Sequence, residues 1–123
     1  MREAYIEVND IILDIDFLDT VTARLIYDQL PFTGNIQKWG DEIYFDVPFS
    51  NIELEFGARE VMEIGEIGYW VEGSSVAIFF GPTPASHNNE SRAVTPINVS
   101  AMIIGDSTRL ASVKDGDFIL FGR

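Results

Sequence analysis

The sequence predicts a small, mainly β domain: an eight-stranded antiparallel sheet closed into a barrel, with one main α-helix and one short helical turn. Three observations predict it. Trp39-Gly-Asp-Glu-Ile-Tyr-Phe45 and Gly68-Tyr-Trp-Val-Glu-Gly-Ser-Ser-Val-Ala-Ile-Phe-Phe-Gly-Pro-Thr-Pro84 set alternating apolar runs against glycine turns, as antiparallel hairpins do. The other alternating runs bring the tally to about eight strands, close to what one barrel needs. A helical repeat of apolar residues runs from about Thr20 to Leu30.

Tyr5, Glu7 alternate with Ile6, Val8, and Ile11, Leu13, Ile15, Phe17 alternate with Ile12, Asp14, Asp16. With Asn9-Asp10 between them, these runs read as an opening hairpin. Asp19 supplies an N-cap oxygen for the helix, and Pro31 closes it. Val21, Leu25, Ile26 and Leu30 are its apolar face, which suits a helix packed on a sheet or plugging a barrel end.

The run from Gly34 to Val47 forms the next hairpin, turning at Gly40-Asp41, where positive φ is needed. Ile43, Phe45 and Val47 share one strand face, and Glu42, Tyr44 and Asp46 the other. A connection over 48–58 carries a short strand candidate, Ile52 to Phe56, and Val61 to Ile64 is apolar enough to pair. Ile67, Tyr69 and Val71 lead into a turn at Gly73-Ser74. Val76 to Phe80 returns from it, apolar on both faces and therefore central. Pro82-Thr83-Pro84 stops this strand. Ala85 to Thr95 is polar and reads as an exposed loop. Ile97 to Ile103 is a strand ended by Gly105-Asp106, Thr108 to Val113 a helical turn, and Phe118 to Phe121 the last strand.

At 123 residues the chain is read as one domain, 1–123. Its composition is that of an ordinary globular protein, with 46% apolar and 23% charged residues. There is no cysteine, so disulfides and thiolate chemistry are excluded. No apolar run approaches the roughly 18 residues of a membrane span. The N-terminus has acidic residues where a signal peptide needs apolar ones, and a cytoplasmic location is expected. Asn89-Glu-Ser91 and Asn98-Val-Ser100 are then chance sequons. The formal charge is −12, from 20 acidic and 8 basic residues. The basic residues are scattered singly, which excludes a nucleic-acid-binding patch and disfavours anionic lipid surfaces.

No nucleophile–base pair, metal-ligand cluster or phosphate loop is present, so neither a cofactor nor a metal is expected. Asp14 and Asp16 share a strand face, but two carboxylates are too few for a cation site, and a solvated outer face explains them. Ser86-His87 lacks the geometry of a nucleophile elbow. The aromatic residues are the remaining candidates. Rings on apolar faces are read as barrel filling. Tyr44 and Trp70 differ, because each shares its face with acids: Glu42 and Asp46 beside Tyr44, Glu66 and Glu72 beside Trp70. Aromatic walls with a few polar groups are typical of pockets. The candidate ligand-binding set is therefore Trp39, Glu42, Tyr44, Tyr69, Trp70, Phe80 and Thr83, the last presenting its hydroxyl at the barrel mouth.

Trp39 to Phe45, Glu63-Ile-Gly-Glu-Ile-Gly-Tyr-Trp70, Ile78-Phe-Phe-Gly-Pro-Thr-Pro84 and Val113-Lys-Asp-Gly-Asp117 together resemble a family of small bacterial and archaeal cyclophilin-like domains to which no function is assigned. The resemblance spans nearly the whole chain and implies a closed eight-stranded cyclophilin-like barrel with a helix at an open end. True cyclophilins are prolyl isomerases with a catalytic arginine on the third strand. The corresponding segment here, Asn35-Ile-Gln-Lys-Trp39, has only Lys38, and a lysine does not replace a bidentate planar donor. The glutamine and phenylalanine of the isomerase wall have no counterpart in Val76 to Ile78. The preferred reading is a barrel that binds a small molecule or short peptide without isomerase chemistry. The alternatives are a divergent prolyl isomerase using Lys38 and an interaction module of a larger assembly.

Overall fold

The structure, a computed structural model, describes residues 2–123. β1 (Arg2–Val8) and β2 (Ile11–Phe17) form the opening hairpin, with Val8 opposite Ile11 and Asn9 in the left-handed region at φ 55°. Ile6, Val8, Ile11, Leu13, Ile15 and Phe17 are buried on one face, as the alternation requires.

α1 (Val21–Gln29) follows, and its cap differs from the sequence expectation. Thr20, not Asp19, is the N-cap, its Oγ1 accepting from the Ala23 amide at 3.1 Å. Asp19 pairs instead with Arg24. The inward face is Thr22, Ala23 and Ile26, continued by Leu30, whereas Val21 and Leu25 are exposed. Ranking by hydropathy alone rotates the helix, because small Ala23 and hydrogen-bonded Thr22 fit the close approach better than larger residues.

The remaining strands are β3 (Phe32–Asn35), β4 (Gln37–Lys38), β5 (Glu42–Asp46), β6 (Arg59–Met62), β7 (Glu66–Trp70), β8 (Ser75–Phe79), β9 (Ser91–Ile104) and β10 (Phe118–Gly122). All pairings are antiparallel, in the order β3-β10-β1-β2-β9-β7-β8-β5-β4, with β6 added on β9. The described residues thus give ten strands where eight were expected, and no ladder joins β3 to β4. The extra strands come from β6 and from a break at Ile36, which splits one run in two. Ile36 is buried, and it turns its backbone away from both strands. Its amide donates to the Asp117 carbonyl at 2.8 Å and its carbonyl accepts from the Gly116 amide at 2.7 Å. Closure into a barrel is thus not made by hydrogen bonds; Phe32 of β3 and Phe45 of β5, the strand next to β4, lie 6.3 Å apart between ring centroids.

Two further expectations change. Residues 52–56 form no strand, because their backbone bonds go to a side chain: Asn98 Oδ1 accepts from the Glu55 amide and Asn98 Nδ2 donates to the Glu53 carbonyl, both at 2.9 Å. The polar stretch read as a loop to Thr95 is already strand from Ser91. β9 passes through Pro96 by bulging, so that β6 sets Arg59 against Ile97 but Val61 against Arg92. A 3-10 helix over Ser107–Ser112 is the predicted helical turn.

Buried side chains divide between the two faces of the sheet. The main core takes Ile6, Ile15, Phe17, Phe45, Ile67, Tyr69, Ile78 and Phe121, with Ala23, Ile26 and Leu110 packed into it. A second cluster on the outer face takes Met62, Ala77, Phe79, Ala93 and Ile97, with Tyr44, Trp70 and Val99 against it. β8 lies between them, buried along its whole length, between β7 and β5 as predicted for a central strand. Among the described residues no helix is long and apolar enough to cross a membrane.

Candidate functional site

The outer face of β5, β7 and β9 holds a cavity of about 220 Å³ lined by Trp39, Glu42, Tyr44, Trp70, Ala93, Val94 and Ile97. Strand pairing explains the convergence. Glu42 and Tyr44 are two apart on β5 and so share its outer face, opposite Phe79 and Ala77 of β8. Trp70 ends β7 opposite Ile97 of β9. The Tyr44 and Trp70 rings meet edge to face across β8, centroids 6.0 Å apart and planes at 82°.

Trp39 enters from the hairpin turn. Its amide donates to the Glu42 carbonyl at 2.8 Å, and between them Gly40 has φ +62°. That conformation favours glycine, and a Cβ there would also lie 2.9 Å from the Thr83 Cα. A second close approach seats Ile97: a Cβ on Gly68 would collide with its Cγ2 and come within 2.6 Å of the Asn98 carbonyl oxygen.

The polar edges of the two partner rings are already engaged. Tyr44 donates its hydroxyl to Gln37 Oε1 at 2.9 Å, and the Trp70 indole N–H donates to Thr95 Oγ1 at 2.6 Å. Glu42 is different. It is only 6% exposed, and its Oε1 has no hydrogen-bond partner. Burial pushes its carboxyl from 4.5 up to about 8, so it is mainly protonated at neutral pH. The other buried acid of this face, Glu66, shows what satisfaction looks like. Arg59 grips it with two bonds of 2.7 and 2.6 Å, and the Glu63 amide adds a third at 2.7 Å.

Of the seven sequence-chosen residues, Trp39, Glu42, Tyr44 and Trp70 line this cavity. Tyr69, Phe80 and Thr83 do not. Tyr69 is 1% exposed and points to the main core, on the same face as Ile67, so period-two alternation sets it opposite Trp70. Phe80 is also in the main core, and its amide donates to the Asp41 carbonyl at 2.9 Å. The Thr83 hydroxyl is not presented at an opening: it donates to the Arg92 carbonyl at 2.5 Å. Phe80 and Thr83 thus buttress the segments carrying Trp39, Glu42 and Ala93. Ala93 and Val94 escape sequence reasoning because residues up to Thr95 read as loop; Ile97 reads as the start of a strand, but nothing local to it marks the strands it packs beside. Alternation of Ser91, Ala93 and Thr95 with Arg92 and Val94 was the available signal.

Other candidates are occupied elsewhere. Ser86 Oγ accepts from the Thr83 and Arg92 amides, and His87 is exposed. Lys38 Nζ donates to the Ala111 carbonyl at 3.0 Å, away from the cavity lining. Arg92 is held by Glu90 and Glu60.

No curated protein matches the chain. The fold is similar to that of a hypothetical protein from Archaeoglobus fulgidus known from a solution structure, at 29% sequence identity and a TM-score of 0.80, over 98% of this chain and 93% of that one. A family model described as Cyclophilin-like matches residues 3–122, and the chain therefore belongs to the cyclophilin-like family.

Proposed function

We propose that this domain binds a small molecule, or one side chain of a short peptide, in the outer-face cavity and performs no isomerase chemistry on it. The observation that carries this reading is Glu42: a buried carboxyl with an oxygen lacking any partner, in a wall otherwise made of rings and aliphatic groups. Buried polar groups are nearly always hydrogen-bonded, and an exception at a concave site is where an incoming group gains most. The volume of about 220 Å³ lies below that of pockets for drug-sized ligands, which suits a compact occupant. Prolyl isomerisation is disfavoured, since among the described residues no cation lines the cavity and the Lys38 ammonium is bound to the Ala111 carbonyl.

The test is a fragment titration followed by the indole N–H resonances of Trp39 and Trp70. Ligands are expected to shift these two signals, and Val94→Arg, which fills the half-open cavity, is expected to abolish the shifts. A protease-coupled prolyl-peptide assay on the same protein is expected to return the uncatalysed rate. Fragment shifts confined to other regions, or acceleration lost in Lys38→Ala, would overturn the reading.

A further inference from the structure

We propose that the occupant of this cavity is a protonated aliphatic amine, its ammonium hydrogen-bonded to Glu42 and faced by the rings of Trp39, Tyr44 and Trp70. This rests on the binding reading above and gives it a ligand class. Three of the cavity's lining residues are aromatic, the class of side chain whose ring faces attract cations, and the Tyr44 and Trp70 rings stand perpendicular to each other. The hydroxyl of Tyr44 and the indole N–H of Trp70 are spent on Gln37 and Thr95, so neither is free to donate to an anion. The orphan polar atom is a carboxyl oxygen, which in its ionised form only accepts. An N–H-bearing cation supplies both missing things at once, a donor and a positive charge. The surrounding net charge of −12 concentrates such cations and repels anions.

Among the described residues no cation fills this role. β4 contributes Lys38, whose ammonium is on the Ala111 carbonyl. β9 contributes Arg92, paired with Glu90 and Glu60, and β6 contributes Arg59, paired with Glu66. β8 sets uncharged Phe79 opposite Glu42, and the preceding turn adds only Asp41. Burial alone therefore keeps the empty-site carboxyl protonated, and an arriving ammonium must displace that proton. Binding is then linked to proton release. Affinity for an amine rises with pH while Glu42 is mostly protonated, by about tenfold per unit, and levels off above about 8.

The experiment is titration calorimetry with n-butylammonium, with N-acetyl-lysine methylamide, and with neutral n-pentanol as the isostere, alongside the indole resonances of Trp39 and Trp70. Both amines are expected to shift the indoles, to bind at least about tenfold tighter than pentanol near pH 8, and to release close to one proton per site at neutral pH, as measured in buffers of different ionisation enthalpy. Binding of the free amine alone, or of the lysine derivative as well, distinguishes a metabolite from a peptide side chain, and either supports the proposal. Glu42→Gln keeps the shape and is expected to lose the preference for amines together with the pH dependence. Pentanol binding as tightly as the amines, or amine affinity flat with pH in the wild-type protein, overturns the amine assignment while leaving a ligand pocket standing. Absence of indole shifts with all three probes, when other fragments do shift them, likewise defeats it. No shift with any compound defeats the binding reading itself.

Discussion

Glu42 is held neutral by its surroundings, and this makes the protein's stability depend on pH in a defined direction. The carboxyl titrates near 4.5 in the unfolded chain and about 8 in the folded one, so between these values the folded state binds more protons. Its contribution is fully present below 4.5, declines as pH rises through the interval, and is gone above about 8. The whole effect is on the order of 5 kcal/mol. Glu42→Gln removes this titration and no other, so the stability difference between variant and wild type is expected to move in the variant's favour by several kcal/mol across that range. Urea unfolding of both proteins at a series of pH values measures it, and parallel profiles would refute it. Residue-level legibility was uneven for one reason: strand alternation was visible around Glu42, Tyr44 and Trp70, but it also set Tyr69 on the opposite face. The partners that make Glu42 singular, or fail to, sit on other strands and leave no trace in its local sequence.

At the scale of elements, β7 and β9 depend on a contact that only glycine permits. Gly68 lies under Ile97 and the Asn98 carbonyl at the point where the β7–β9 register shifts between Ile67 and Gly68. Since one obstruction is backbone, side-chain repacking cannot relieve it. Gly68→Ala is expected to cost about 3 kcal/mol or more, and to lower the thermal midpoint far more than Gly57→Ala, where a Cβ meets nothing within 4 Å. A pair of calorimetric scans decides this. The opening hairpin, the doubly buried β8 and the closing strand were legible because each is written in local alternation and turn residues. The start of β9 and the irregular 48–58 segment were not, since both are set by distant partners. Asn98 takes the backbone bonds that a strand at 52–56 would have used, and it also donates to Thr22 Oγ1 at 3.1 Å, tying that segment to α1.

Across the whole molecule, the junction between β3 and β4 is where the ladder is interrupted, and it is expected to be the weakest line. They are the two ends of the ladder, joined in sequence by Ile36 and in space by the 115–117 turn. Asp115 Oδ1 accepts from the Lys38 amide at 2.7 Å, and Asn35 Nδ2 donates to the Gly116 carbonyl at 3.1 Å. Asp115→Ala is expected to cost about 1 kcal/mol and to speed hydrogen exchange at Gln37 and Lys38, while amides of β8 continue to exchange only through global unfolding. Uniform acceleration throughout would show that this line is no weaker than the rest. β8 has another consequence. Its inward side chains, Val76 and Ile78, belong to the main core, while Ala77 and Phe79 floor the outer cluster. On the proposed binding reading, requirements for folding and for recognition are written on alternate residues of one strand. Substitutions at Trp39, Tyr44 or Val94 would, on that reading, retune what the domain recognises while its interior stays fixed, so descendants of one scaffold would diverge in specificity without first having to evolve a new way to fold.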